Sequence, residues 1–155
     1  MIAQLAPRLR RRLAGAHRDD HGAAVVEFAL VVPVLFLIIF AVIDFGRALW
    51  TLNVLTSGVR EGARAAAIEP TTAFAIDTAK ARTVRYINGV LGTSLTTAQV
   101  TATYDNNSAS ATYGQIRVYL TSGYVFQPVT PFASNMGLGS LTFNPNAYYR
   151  WERAN

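Results

Sequence analysis

Few residues in this chain could do chemistry, and the one in the most demanding setting is Glu27. It stands five positions after Gly22 at the head of an apolar run, Phe28 to Ile43, sixteen residues without a charge. A carboxylate held at the bilayer centre costs about 2.5–3.5 kcal/mol and demands a partner; at the headgroup level it would be solvated and idle. Elsewhere the chemistry is bounded by what is missing. The chain has no cysteine, so neither a disulfide framework nor a thiolate nucleophile is available. Both histidines, His17 and His21, precede the apolar run. Beyond it, Ser-His-Asp and Cys-His catalysis and the common zinc sites lack their side chains. Asp44, Glu61, Glu69, Asp105 and Glu152 fall in separate elements, with no motif joining them. Lys80, the only lysine, follows Asp77 by three residues, the spacing of an ordinary surface ion pair. No glycine-rich phosphate loop occurs. These features point away from an enzyme, and neither a cofactor nor a metal is expected.

The element that must position Glu27 is a membrane helix. Residues 23–43 number twenty-one, about 31 Å at 1.5 Å per residue, which matches a hydrocarbon core of roughly 30 Å. An all-apolar stretch of this length leaves no polar face for a soluble protein to turn to water. The charge supports the same reading. Arg8, Arg10, Arg11, Arg12 and Arg18 against Asp19 and Asp20 give +3 ahead of the span, and the nine basic and seven acidic residues that remain give only +2. Basic residues beside an apolar helix place the N-terminus in the cytoplasm and the C-terminal bulk outside. Residues 1–22, interrupted by Pro7 and Gly15, read as a leader without a core. A cut behind the span is poorly supported, because Asp44, Phe45, Arg47 and Trp50 crowd that end. A cut at Gly22, in front of the span, would keep the anchor in the mature protein.

Glycine, four small or apolar residues, then Glu27 and Phe28 opening an apolar helix resembles the processing site of type IV prepilins. The resemblance implies cleavage between Gly22 and Ala23 by a membrane-embedded aspartyl prepilin peptidase. It implies, too, that Glu27 with Phe28 serves assembly, the freed amine of a neighbouring Ala23 supplying the opposite charge. The opening lacks the aromatic or methionine start of most pilins. With Glu27-Phe-Ala-Leu30, Pro33 and the later Arg60-Glu-Gly-Ala-Arg64, it is more similar to the TadE-like pseudopilins of tight adherence (Flp) type IVb pilus systems. That similarity covers about residues 20–67. It implies a minor pilin or pseudopilin-like subunit of the cytoplasmic (inner) membrane. Its partners would be the membrane, the prepilin peptidase, other pilins and pseudopilins and the Flp pilus assembly proteins; no nucleic acid is expected. A function of another class stays open: an uncleaved, signal-anchored module whose outer domain binds a ligand or cell-wall polymer.

The rest of the chain predicts an α+β fold. Pro33 should kink the helix, either as a packing feature or as a tolerated irregularity. Apolar residues at spacings of 3 and 4 continue past Ile43, so one rod is expected from about 24 to 67. Gly58, Gly62 and Ala66 form a small-residue ladder that admits a close helix, either a partner's or the chain's own. Pro70 ends the rod, and Thr71 or Thr72 caps a second helix to about Leu91, closed by Gly89 and Gly92. From Val100 the period becomes two. Val100 to Tyr104 and Tyr113 to Phe126 should form a hairpin, with Ile116, Val118 and Leu120 inward. Leu141 to Phe143 with Ala147 to Trp151 should supply a last strand. The expected organisation is a leader (1–22), a transmembrane helix (23–43) and an extracytoplasmic domain (44–155). In that domain the helices (44–91) carry an antiparallel sheet of three or four strands (98–152). Alternate aromatics of the sheet fill the core, and those left outside could form a sticky face for a partner.

Overall fold

The computed structural model describes residues 20–130, 137 and 139–151. The leader arginines, His17 and Asp19, with Pro131, Met136 and Glu152, lie outside the described residues. The elements are α1 (Asp20–Ala66), α2 (Thr72–Leu91), a short 3₁₀ turn (Thr97–Gln99), β1 (Val100–Tyr104), β2 (Gln115–Leu120), β3 (Tyr124–Phe126), β4 (Leu141–Phe143) and β5 (Asn146–Arg150). Contacts divide the chain into two units, Met1–Phe40 and Ala41–Asn155. Within the first, the described residues are helical throughout, and the helix passes Pro33 without a break.

The second unit is built on the end of α1. Leu55, Val59, Ala63 and Ala66 are wholly buried there, as are Ala75, Ala79, Thr83 and Ile87 of α2. The α2 set recurs every four residues, so it forms one stripe of the helix. Thr71 caps α2, its hydroxyl accepting from the Phe74 N–H at 3.4 Å. Gly92 closes it in the left-handed region at φ 65° with its N–H donating to the Asn88 carbonyl, a conformation glycine adopts without a Cβ penalty. Asn88 then ties down the exit: its amide donates to the Leu95 carbonyl at 2.8 Å and its Oδ1 accepts from Leu95 N–H and the Thr93 hydroxyl.

The two helices approach backbone to backbone. A Cβ on Gly62 would fall against the Thr83 hydroxyl and 2.6 Å from the Ala79 carbonyl, and one on Gly58 would meet Ile87 Cγ1 at 2.6 Å. Later positions of α1 meet earlier positions of α2, so the pair is antiparallel, as the short 67–71 connection requires. The Thr83 hydroxyl is buried in this crossing without a hydrogen-bond partner.

The sheet covers the helices. β1, β2 and β5 are antiparallel in the order β1-β2-β5, with Val100 opposite Leu120 and Val118 between Ala102 and Ala147. These residues and Ile116 are buried, as the two-residue period predicts. On the other face Arg117 lies over the rings of Tyr119 and Tyr148, at 4.6 and 5.5 Å. Trp151 fastens the end of β5 to the helices: its indole N–H donates to the Glu69 carbonyl at 2.9 Å, and its ring meets Tyr104 edge-on at 5.1 Å.

Two details of the sheet differ from the sequence reading. Tyr113 to Phe126 is not one strand, because the chain turns at Thr121–Gly123 and Gly123 takes φ 69°. Leu141–Phe143 and the following strand are also separate, since Pro145 between them has no N–H to give a ladder. β3 and β4 therefore pair with each other as a second, two-stranded sheet, with Phe126 against Phe143 at 6.0 Å. The Asp77–Lys80 ion pair is not formed; among the described residues the ion pairs are Arg47–Asp44 and Arg64–Glu61.

The helix crossing separates two glycines of equal composition and opposite worth. Gly62→Ala should lower stability by about 1–3 kcal/mol through the forced contact with the Ala79 carbonyl, although helix propensity alone favours alanine by about 1 kcal/mol. Gly89, which has open space where a Cβ would sit, should respond in the opposite sense, Gly89→Ala gaining about 0.5–1 kcal/mol. Thermal unfolding of the two full-length variants, followed by circular dichroism in one detergent, checks the pair. Equal shifts of the same sign would contradict the close approach.

Candidate functional site

The residues singled out at the start of α1 lie along its exposed surface. Gly22 and Ala23 are helical near the start of the described residues, and Glu27, Phe28 and Pro33 are exposed. The side chains that follow, among them Val25, Leu30, Val34 and Phe36, are more than half exposed. Such a surface is unsuited to water. The helix is long and apolar enough to cross a membrane.

Gly58, Gly62 and Ala66 are far along the same helix, and their small-residue surface is occupied by α2 of the same chain.

The structure adds one residue, Asp44, which no sequence motif joins to another acid. Asp44, the first charge after the apolar run, is 8% exposed and saturated with donors. Its carboxylate accepts from the Val129 N–H at 3.0 Å, the Thr130 N–H at 3.2 Å, the Thr130 hydroxyl at 2.6 Å and Arg47 Nη1 at 3.2 Å. Arg47 in turn lies over the Phe126 ring at 5.3 Å. One carboxylate therefore ties α1 to a loop more than eighty residues away in sequence. The only signal in the sequence was an acid at the end of an apolar helix, where desolvation demands donors; which donors was not legible.

The aromatics of the sheet divide between core and surface. Phe126 is buried and Tyr104, Tyr124 and Trp151 pack on the core, while Tyr113, Tyr148 and Tyr149 are exposed. Tyr148 and Tyr149 flank a shallow cleft with Tyr86, Arg60 and the Glu61–Arg64 pair. No group of three or more histidine, cysteine or acidic residues suited to a metal occurs among the described residues.

Residues 22–64 match the family model of TadE-like proteins. The match opens on Gly22, takes in Glu27, Pro33, Asp44 and Gly58, and stops at Arg64 before α2 and the sheet. No curated protein matches the chain, and no solved structure does.

Asp44→Asn should cost about 1.5–3 kcal/mol, the worth of hydrogen bonds to a charged group. A pH dependence follows from Asp105, which the Ser110 and Thr112 hydroxyls and the Asn107 N–H hold below the ordinary carboxylate range. Its contribution is fully present above its unfolded value, about pH 4, and is lost as pH falls through the lower folded value. Asp105→Asn should therefore show a shallower loss in acid unfolding monitored between neutral pH and below about pH 4.

Proposed function

We propose that this protein is a minor pilin or pseudopilin-like subunit that takes part in assembly of a tight adherence (Flp) pilus. The observation that carries this reading is the TadE-like match beginning at Gly22, the residue the prepilin-like spacing marks for cleavage. Involvement in Tad pilus assembly is what the family suggests; the processing and the subunit role are our inference.

In this reading the arginine-rich leader stays in the cytoplasm and the prepilin peptidase cuts between Gly22 and Ala23. Cleavage removes the leader's positive charge and leaves a new amine at the start of α1. Glu27, exposed on that helix with lipid-suited neighbours on every side, pairs with the Ala23 amine of an adjoining subunit as the helices pack. Phe28 adds apolar contact beside the pair, and Pro33 leaves the Ala29 carbonyl without its backbone donor, a local softness that a neighbouring helix can accommodate. The domain after the helix has its small-residue ladder already filled by α2, so contacts between subunits fall to the apolar helix and to exposed surfaces such as the Tyr148–Tyr149 face. The peptidase, other pilins and pseudopilins and the Flp assembly proteins are the partners.

Intact mass and N-terminal sequencing of the protein recovered from membranes of a host with a prepilin peptidase should show a chain that starts at Ala23. A start at Met1 would remove the processing step and favour the uncleaved binding module. Glu27→Ala should leave insertion intact and reduce recovery with other pilus components by at least about tenfold, since breaking a buried charge pair costs roughly 3–5 kcal/mol. Wild-type recovery of that variant would sink the assembly role of Glu27.

A further inference from the structure

The surface of α1 from Val42 onward changes character later than the charge pattern suggests. On the side turned away from the domain, Val42, Ile43, Phe45, Leu49 and Trp50 are all exposed, between 46% and 66%. Gly46 lies among them, and the first polar residues on that side are Asn53, Ser57, Arg60 and Arg64, all exposed. The other side turns inward from Asp44, continuing through Ala48, Thr51 and Leu55. Over about two turns the helix therefore shows an apolar surface outward while already carrying the domain inward. In water this surface would be unfavourable at about 25 cal/mol per Å². With Asp44 turned inward and Arg47 at its edge, it carries the apolar surface beyond Ile43 and ends in a tryptophan, the residue enriched where hydrocarbon meets headgroups.

From these observations we propose that the bilayer extends along α1 to Trp50, and that the 129–130 segment of the domain, held by Asp44 about 9 Å below Trp50, lies just inside the hydrocarbon boundary with Val129 against lipid. The inference rests on the reading of α1 as a membrane span. Phe28 to Trp50 is twenty-three residues, about 35 Å, which fits the hydrocarbon core plus part of one interface. Val129 is 70% exposed beside the carboxylate that grips its N–H, an apolar side chain offered outward at the same level as Phe45. Arg47, whose side chain is 45% exposed, reaches the adjoining headgroup layer, where a guanidinium meets lipid phosphate. Asp44 would be costly at this depth as a bare charge. Its four donors are what make the position tolerable, and three of them come from the loop that enters with it.

The two tryptophans, Trp50 and Trp151, and the absence of cysteine make the test direct. The full chain is placed in phosphatidylcholine–phosphatidylglycerol vesicles with bromines near the carbonyl end or near the methyl end of the acyl chains. In Trp151→Phe, the Trp50 emission should be quenched strongly by the shallow bromines and weakly by the deep ones. Trp50→Phe, which changes only an exposed side chain, should abolish the lipid-quenchable part and leave Trp151 open to aqueous acrylamide alone. A polarity-sensitive fluorophore on Val129→Cys should shift to the blue on reconstitution. Quenching of Trp50 by acrylamide without quenching by lipid would overturn the proposal, and protection from both would overturn it in favour of a second copy covering the stripe. A label on Leu35→Cys serves as the reference: quenching there with none at Trp50 leaves the span and removes only the extension, whereas no quenching at either position removes the span as well.

Discussion

A single helix, α1, has to satisfy two environments, and the Asp44 carboxylate stands where one gives way to the other. Between Glu27 and Asp44 the exposed residues are apolar on every side; from Asp44 onward one side is claimed by the protein's own core. A charge at such a junction is tolerable only if donors are brought to it, because an unpaired buried carboxylate would cost several kcal/mol. The chain brings them from Val129 and Thr130, so the return of the polypeptide to α1 after β3 is fixed by one acid. Arg47 closes the fourth side and covers Phe126, which joins the ion pair to the small β3–β4 sheet. This carboxylate is thus both a helix residue and the fastening of a distant loop.

Beyond that junction the domain is assembled by closeness, since glycine at 58 and 62 with alanine at 63 and 66 lets α2 lie against the backbone of α1. A thin helical layer then leaves room for a sheet whose inward residues are small or branched, Ala102, Val118 and Ala147 across three strands. The cost of this closeness is visible at Thr83, whose hydroxyl is buried with no partner. Trp151 and Asn88 then pin the two ends of the domain to backbone carbonyls, the first beside the α1–α2 connection and the second at the exit from α2. Such side-chain to backbone bonds hold a cysteine-free domain together where a disulfide otherwise would.

The family likeness and the structure divide the chain in an informative way. The part that matches TadE-like proteins, residues 22–64, is the part whose surfaces are used twice, once by the apolar environment and once by the domain core. The sheet, outside the match, exposes Tyr148 and Tyr149.

By itself the sequence determined the apolar helix, the second helix with a cap at Thr71 or Thr72 and an end at Gly89 to Gly92, and the inward set Ile116, Val118 and Leu120, while the structure chose Thr71 and Gly92 and kept Gly89 inside the helix. These follow from local rules: uninterrupted hydropathy, cap chemistry and a period of two act within a few residues of themselves. Tertiary structure alone decided the rest. It split Tyr113 to Phe126 at Gly123, gave β3 and β4 a sheet of their own, and used the Gly58–Gly62 ladder for the chain's own α2. It also made Asp44 an anchor, a role that depends on Thr130, eighty-six residues away. Pairings between segments so far apart carry no periodic signature, because which surfaces meet is settled by the space left when helices, turns and strands pack together.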